Sequence, residues 1–139
     1  MASFCVLLVD DEVAFLEVLA KRLRKRNIDI TLANSAQEAL RILRERPVDV
    51  VVLDLKMPGM DGIQAVREIK LATPLVEVIM LTGHASVEAA MEGMELGAFD
   101  YLTKPVDIEE LVYKLQDANR KKSIEEEKIR LMEHTGKNR

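Results

Sequence analysis

The sequence lacks the features of secreted and membrane-bound proteins. It has one cysteine, Cys5, which cannot form an internal disulfide; this excludes a disulfide-stabilised scaffold and fits a reducing cytoplasm. No apolar run approaches the roughly 20 residues that a membrane-spanning helix needs. The first residues, MASFCVLLVDDE, have no basic leader and predict a β-strand rather than a signal peptide. We therefore expect a cytoplasmic protein that does not contact a membrane.

Acidic residues outnumber basic ones outside the C-terminal tail. The 139 residues carry a formal net charge of −4. Residues 120–139 contain seven Lys or Arg and four Asp or Glu, so the tail is +3 and the remainder is −7. An acidic body argues against a nucleic-acid-binding surface, and we expect no direct nucleic-acid contact by this chain. The basic run Arg120-Lys121-Lys122 is predicted to be a solvated helix face.

Strand-like and helix-like segments alternate five times along a chain whose length suggests one domain. The strand-like segments are FCVLLVDD, IDITLA, VDVVVLD, VEVIMLT and FDYLT. Near-continuous apolar runs are typical of strands covered on both faces, whereas the second segment alternates apolar and polar residues and so belongs at a sheet edge. The pattern predicts an α/β fold with a doubly wound five-stranded parallel sheet. We expect the flavodoxin-like strand order 2-1-3-4-5, with helices on both faces.

Local signals predict where several helices begin and end. Ser35 and Glu38 form a capping-box pattern before the second helix. Ser86 can cap the fourth helix, and Gly97 ends it. Residues 107–133 predict one long helix with a buried seam formed by Leu111, Leu115 and Ala118.

Polar side chains follow the strands where each strand ends. Asp10 and Asp11 follow the first strand, Asp54 ends the third, Thr82 the fourth, and Lys104 follows the fifth. Ligands of such sheets bind beyond the carboxyl ends of the strands, beside the point where the strand order reverses. The first and third strands flank that point, so we expect their carboxylates to converge in one crevice.

Converging carboxylates repel one another and favour a bound cation. Mg²⁺ prefers oxygen ligands, and the backbone carbonyl of Lys56 can join the carboxylates of Asp10, Asp11 and Asp54 around it. We expect Mg²⁺ as the cofactor, with Mn²⁺ as an alternative. A carboxylate nucleophile, a metal ion, an ammonium and a hydroxyl together predict a phosphoryl-transfer pocket.

The ordered segments VLLVDDE, VVLDLKMPGMDG, VIMLTGHAS and GAFDYLTKP resemble the receiver domain of two-component response regulators. The resemblance covers roughly residues 4–118. It implies that Asp54 accepts a phosphoryl group from a sensor histidine kinase or a small phosphodonor. It also implies that Asp11 binds the metal directly, Asp10 through water and Lys56 through its carbonyl.

The resemblance further implies which residues carry the switch. Thr82 matches the hydroxyl that moves to bind the phosphoryl group, and Tyr101 matches the aromatic ring that turns inward with it. Lys104 matches the lysine that pairs with the phosphoryl group, and its bond to Pro105 is expected to be cis. The output face is then formed by the fourth helix, the fifth strand and the fifth helix. His84 and Lys56, two residues after Thr82 and Asp54, are expected to tune the lifetime of the phosphoryl group.

On this basis residues 1–119 form the receiver domain and residues 120–139 a helical extension. The extension resembles the linker that joins a receiver to an ATPase or DNA-binding output domain. Two alternatives stay open, namely the end of a stand-alone receiver and a helix that forms a homodimer.

Other functions fit the same residues less well. A phosphohydrolase of the haloacid-dehalogenase type also uses an aspartate nucleophile, but it needs a second acid where this chain has Lys56, and its acid pair comes last in the chain. A phosphorylation-independent interaction module would not need the acidic pocket. A Rossmann-type nucleotide binder would need a Gly-rich loop after the first strand, where this chain has DDE. We therefore expect a phosphoacceptor regulatory domain that promotes only its own phosphorylation and dephosphorylation, and not an enzyme.

Overall fold

The structure is a computed structural model that describes residues 3–57, 59–83 and 87–137. Within these residues five strands alternate with five helices. The strands are β1 (Cys5–Val9), β2 (Asp29–Ala33), β3 (Val50–Asp54), β4 (Glu77–Thr82) and β5 (Asp100–Thr103). The helices are α1 (Val13–Arg24), α2 (Ala36–Glu45), α3 (Gly62–Ala72), α4 (Val87–Glu95) and α5 (Ile108–Lys137).

The strands form one parallel sheet in the order β2-β1-β3-β4-β5, which confirms the predicted doubly wound fold. Every residue of β3 and β4 is buried, whereas the edge strand β2 is partly exposed. Val9 of β1 is paired with Leu53 of β3. The residues that follow this pair, Asp10 and Asp54, therefore leave the sheet at the same level.

Two hydrophobic cores cover the two faces of the sheet. Helices α2, α3 and α4 pack on one face, and α1 and α5 pack on the other. The predicted seam of α5 is confirmed, since Leu111, Leu115 and Ala118 are fully buried. Each fully buried leucine contributes about 1.5–3 kcal/mol to folding, so the cores hold the strand ends firmly in place. None of the helices in the described residues has the length and apolarity needed to cross a membrane.

Helix ends agree with the local signals, with one difference. The hydroxyl of Ser35 accepts a hydrogen bond from the backbone N–H of Glu38 at 3.1 Å. The carboxylate of Glu38 accepts from Asn34 N at 3.0 Å, one residue earlier than a capping box requires. Gly97, just after α4, has φ 108°, which favours glycine and ends the helix. Ser86, the predicted cap of α4, lies outside the described residues, as does His84.

The prediction of a solvated basic face at the start of the C-terminal extension holds for Arg120 and Lys121, which are exposed, and is wrong for Lys122, whose side chain is 12% exposed. Lys121 Nζ lies 2.8 Å from Glu77 Oε2, and Lys122 Nζ lies 3.0 Å from Asp49 Oδ1. The physical reason is the direction of α5, which carries these lysines past the amino ends of β3 and β4, where the acids lie. Arg120 is exposed and pairs with Asp117.

Candidate functional site

Three carboxylates converge at the carboxyl ends of β1 and β3. Asp10, Asp11 and Asp54 each offer an oxygen within 4.8 Å of the other two. Asp10 and Asp54 are buried, at 1% and 4% exposure, and Asp11 is exposed at the rim. The parallel register of β1 and β3 brings them together, as the sequence predicted.

Backbone hydrogen bonds fix the two buried carboxylates. Asp10 Oδ1 accepts from the N–H of Glu12 at 3.0 Å, and Asp54 Oδ1 accepts from the N–H of Lys56 at 3.2 Å. In each case the donor lies two residues after the aspartate that accepts. The loop that follows the strand therefore sets the side-chain rotamer of the aspartate. The other oxygen of each carboxylate, Oδ2, faces Lys104.

Lys104 bridges the two buried acids. Its Nζ lies 3.1 Å from Asp10 Oδ2 and 3.5 Å from Asp54 Oδ2. Its backbone N–H donates to the carbonyl of Thr82 at 2.8 Å, which anchors the loop after β5 to the end of β4. The bond between Lys104 and Pro105 is cis, as expected.

The electrostatics of the crevice favour an additional cation. Burial, together with the charge of Asp10, raises the pKa of Asp54 in spite of its hydrogen bond from Lys56 and the charge of Lys104. Burial lowers the pKa of Lys104, but the hydrogen bond to Asp10 and the charges of Asp54, Asp10 and Glu12 outweigh it and raise that pKa overall. The one ammonium of Lys104 pairs with Asp10 and Asp54, so the cluster of three carboxylates is incompletely neutralised. Hard carboxylate oxygens at a partly open rim are the donor set that Mg²⁺ takes, so these residues fit the ion.

The remaining predicted residues lie around this crevice. Thr82 is buried at the end of β4, and its hydroxyl donates to the carbonyl of Gly83 at 3.2 Å. Tyr101 is half-buried and packs against the core beneath α2, α3 and α4, opposite Met80 in the sheet. The side chain of Lys56 is exposed beside Asp54, and the role of its carbonyl stays a prediction.

Residues 6–116 match the family model of the response regulator receiver domain. The chain belongs to this family. The match covers well over half of the sequence, and it confirms both the resemblance and the fold that the resemblance implied.

Known relatives of this receiver domain agree with the assignment. It is 41% identical over 113 residues to the transcriptional regulatory protein ZraR of Escherichia coli, a match that covers 81% of this chain and 26% of ZraR. It is 35% identical over 133 residues to a putative response regulator of Rickettsia felis described as NtrX-like, covering 94% of this chain and 28% of the relative. The chain therefore spans about a quarter of the length of these curated relatives.

A solved structure shows the same fold. The crystal structure of a response regulator receiver domain protein from Clostridium thermocellum superposes with a TM-score of 0.84 at 37% identity. The match covers 87% of this chain and 98% of that one. The alternative of a haloacid-dehalogenase-type phosphohydrolase has no support among these findings.

Sequence reasoning missed one neighbour of the receiver site. The ring centroid of Phe15, in the first turn of α1, lies 4.6 Å from Lys104 Nζ. A signal was present, because Phe15 lies four residues after Asp11, near the start of the helix predicted to follow the acid pair. That spacing did not predict which distant cation would meet the ring.

Proposed function

We propose that this receiver domain is a phosphorylation-controlled signalling switch in which Asp54 accepts a phosphoryl group from a sensor histidine kinase or a small phosphodonor. The observation that carries the proposal is the convergence of Asp54 with Asp10, Asp11 and Lys104 in one crevice. A carboxylate needs no general base, because its ionised form is already a nucleophile.

The reaction is a displacement at phosphorus. A carboxylate oxygen of Asp54 forms the new P–O bond, and the bond from phosphorus to the donor's histidine nitrogen or acyl oxygen breaks, with its electron pair leaving on the donor. The N–H of Lys56 orients Asp54, and the ammonium of Lys104 neutralises the incoming phosphoryl charge.

The metal site is formed by the same carboxylates. Asp11 and Asp54 would hold Mg²⁺ directly, Asp10 through water and Lys56 through its backbone carbonyl, and Mn²⁺ would fit the same oxygen donors. A bound ion there supplies neutralisation of phosphoryl charge and alignment of donor and acceptor.

The switch follows from the added charge. A phosphoryl group adds about −1.5 to −2 charges near neutral pH. The hydroxyl of Thr82, which donates to Gly83 in this structure, turns to the phosphoryl oxygens, and the half-buried ring of Tyr101 moves into the space beside it. The change is transmitted to the face formed by α4, β5 and α5.

The place of this domain in a larger regulator is part of the proposal. Residues 1–119 act as the receiver in the cytoplasm, and residues 120–139 form a helical linker toward an ATPase or DNA-binding output domain. Two facts support this: α5 continues without a break to Lys137, and the chain spans about a quarter of relatives described as transcriptional regulators. A homodimer formed through the extension is the alternative arrangement. Its chemistry is confined to gaining and losing its own phosphoryl group.

The test is phosphorylation by acetyl phosphate, measured as intact mass. The wild type should gain one phosphoryl mass with Mg²⁺ and none with a chelator. Asp54→Asn should abolish the gain. Asp117→Asn is the matched control, since Asp117 lies on α5 and pairs only with exposed Arg120 among its described contacts. Labelling of the Asp54→Asn variant at the wild-type level would refute the assignment.

A further inference from the structure

Phe15 contacts both the hydrophobic core and Lys104 of the phosphoacceptor site. It is the third residue of α1 and packs partly buried against the core formed with α5. The buried neighbours Leu16 and Leu19 fix this turn of the helix. The ring face is therefore held in place next to Lys104, whose Nζ lies 4.6 Å from the ring centroid.

We propose that Phe15 is a positioning residue for phosphoryl transfer, whose ring holds the ammonium of Lys104 between Asp10 and Asp54. The proposal rests on the proposed function of Asp54. No contact between Phe15 and the phosphoryl donor is required, because the ring acts through Lys104.

The first argument is the freedom of the lysine. Lysine has a flexible four-carbon side chain that loses rotamer entropy when it is fixed. Asp10 and Asp54 hold the ammonium from one side. A ring face on another side restricts the remaining motion through a cation–π attraction, without adding a charge.

The second argument is the space beside the site. A groove of about 580 Å³ adjoins Phe15 and Lys104 and is lined by Glu12, Val18, Arg22 and Pro105, among others. Glu12 is an anion on that side, and its charge attracts the ammonium. Without the ring, Lys104 has room to sample positions away from Asp54, with Glu12 as a second and weaker anionic neighbour there.

The third argument is that the ring does not compete with the reaction. When the phosphoryl group arrives, the ammonium must exchange carboxylate oxygens for phosphoryl oxygens. A carboxylate in place of Phe15 would compete for the ammonium throughout this exchange. The neutral ring instead keeps the ammonium near the transferring group, and the ammonium can then move from the carboxylate oxygens to the more negative phosphoryl oxygens.

The experiment compares Phe15→Leu, which keeps an apolar core contact, with Phe15→Tyr, which keeps the ring face. The first readout is spectroscopic. Protons on the Lys104 side chain next to Nζ should show an upfield ring-current shift in the wild type and in Phe15→Tyr, and lose it in Phe15→Leu. If Phe15 only packed against the core, the Lys104 proton shift would not depend on whether residue 15 carries an aromatic ring.

The second readout is the rate of phosphorylation by acetyl phosphate with Mg²⁺. We expect Phe15→Leu to lower the rate at saturating donor by about 2- to 30-fold, with a smaller change in KM, and Phe15→Tyr to restore it. In a Lys104→Ala background Phe15→Leu should cause no further loss. Val18→Ala, which changes an exposed residue of the same groove, should react like the wild type.

Each outcome supports or refutes the inference. Equal rates for Phe15→Leu and wild type, with Asp54 labelled in both, would refute the positioning role and leave the proposed function intact. Equal losses in Phe15→Leu and Phe15→Tyr would show a packing role only. If the wild type takes no phosphoryl group, the proposed function fails and the positioning role fails with it.

Discussion

Replacing Lys121 by methionine should loosen the C-terminal part of α5 from the sheet. Among the described residues, Lys121 is one of two cations that contact the buried carboxylate of Glu77. Glu77, the first residue of β4, is 2% exposed. Its Oε2 lies 2.8 Å from Lys121 Nζ, and its Oε1 lies 3.4 Å from Lys70 Nζ. Lys70 also donates to the carbonyls of Pro74 and Val76 at 2.9 Å, so its own position does not depend on Glu77.

The expected loss of stability follows from how exposed the side chain of Lys121 is. Breaking a fully buried ion pair by removing one partner costs about 3–5 kcal/mol. The side chain of Lys121 is 51% exposed and Lys70 remains next to Glu77, so we expect the free energy of unfolding to fall by about 1–2 kcal/mol. For a chain of this size the melting temperature should fall by about 3–10 °C. Adding Glu77→Gln should reveal a coupling energy of about 1 kcal/mol between the two positions.

Two measurements check this prediction. Denaturant unfolding gives the free energies of the single and double variants, and amide hydrogen exchange reports local opening of α5 after Ala118. The control is Lys128→Met, since Lys128 is 66% exposed and lies 3.9 Å from Glu125; its effect should stay within about 0.5 kcal/mol. If Lys121→Met were indistinguishable from Lys128→Met in both measurements, the contact with Glu77 would have no energetic role.

Two further predictions concern the site. Because burial raises the pKa of Asp54, the native state binds a proton at this carboxyl more tightly than the unfolded state does. The contribution of Asp54 to stability is therefore full below about pH 3.9 and is lost as the pH rises through its native pKa. In thermal melts without Mg²⁺, Asp54→Asn should therefore melt above the wild type at neutral pH, with a gain that vanishes below about pH 3.9; a lower melting temperature at neutral pH would contradict this reasoning. Gly62→Ala should cost about 2–4 kcal/mol in denaturant unfolding and slow phosphorylation, because the added Cβ would lie 2.5 Å from the carbonyl oxygen of Leu55, next to Asp54. If the Gly62→Ala variant had unchanged stability and an unchanged phosphorylation rate, the backbone at Leu55 would move aside for the added Cβ at no cost.

The strand order and the acid cluster could be predicted because each depends on local pattern and one topological rule. Strands covered on both faces must be apolar throughout, and this requirement distinguishes the central strand VDVVVLD from the edge strand IDITLA. In a doubly wound sheet the carboxyl ends of the strands beside the order reversal share one crevice. Asp10, Asp11 and Asp54 therefore had to converge once the strands were identified.

The orientation of single side chains could not be predicted in the same way. Glu38 accepts from Asn34 rather than Ser35, although the two N–H groups are neighbours in the chain. The hydroxyl of Thr82 donates to the carbonyl of Gly83, a choice of acceptor that the residue type does not reveal. These choices depend on differences of about 1 kcal/mol or less between competing hydrogen bonds.

The sequence by itself determined the α/β class, the sheet order and the convergence of Asp10, Asp11 and Asp54, because hydrophobic periodicity and strand ends are properties of short segments. Only the tertiary structure decided which distant charges meet. Lys121 and Glu77 are 44 residues apart in the sequence, and Lys122 and Asp49 are 73 residues apart. Phe15 and Lys104 are also distant in the sequence, and they meet only because α1 packs beside the end of β5. The physical reason is that each contact requires the direction and register of a packed helix, and packing involves the whole core at once.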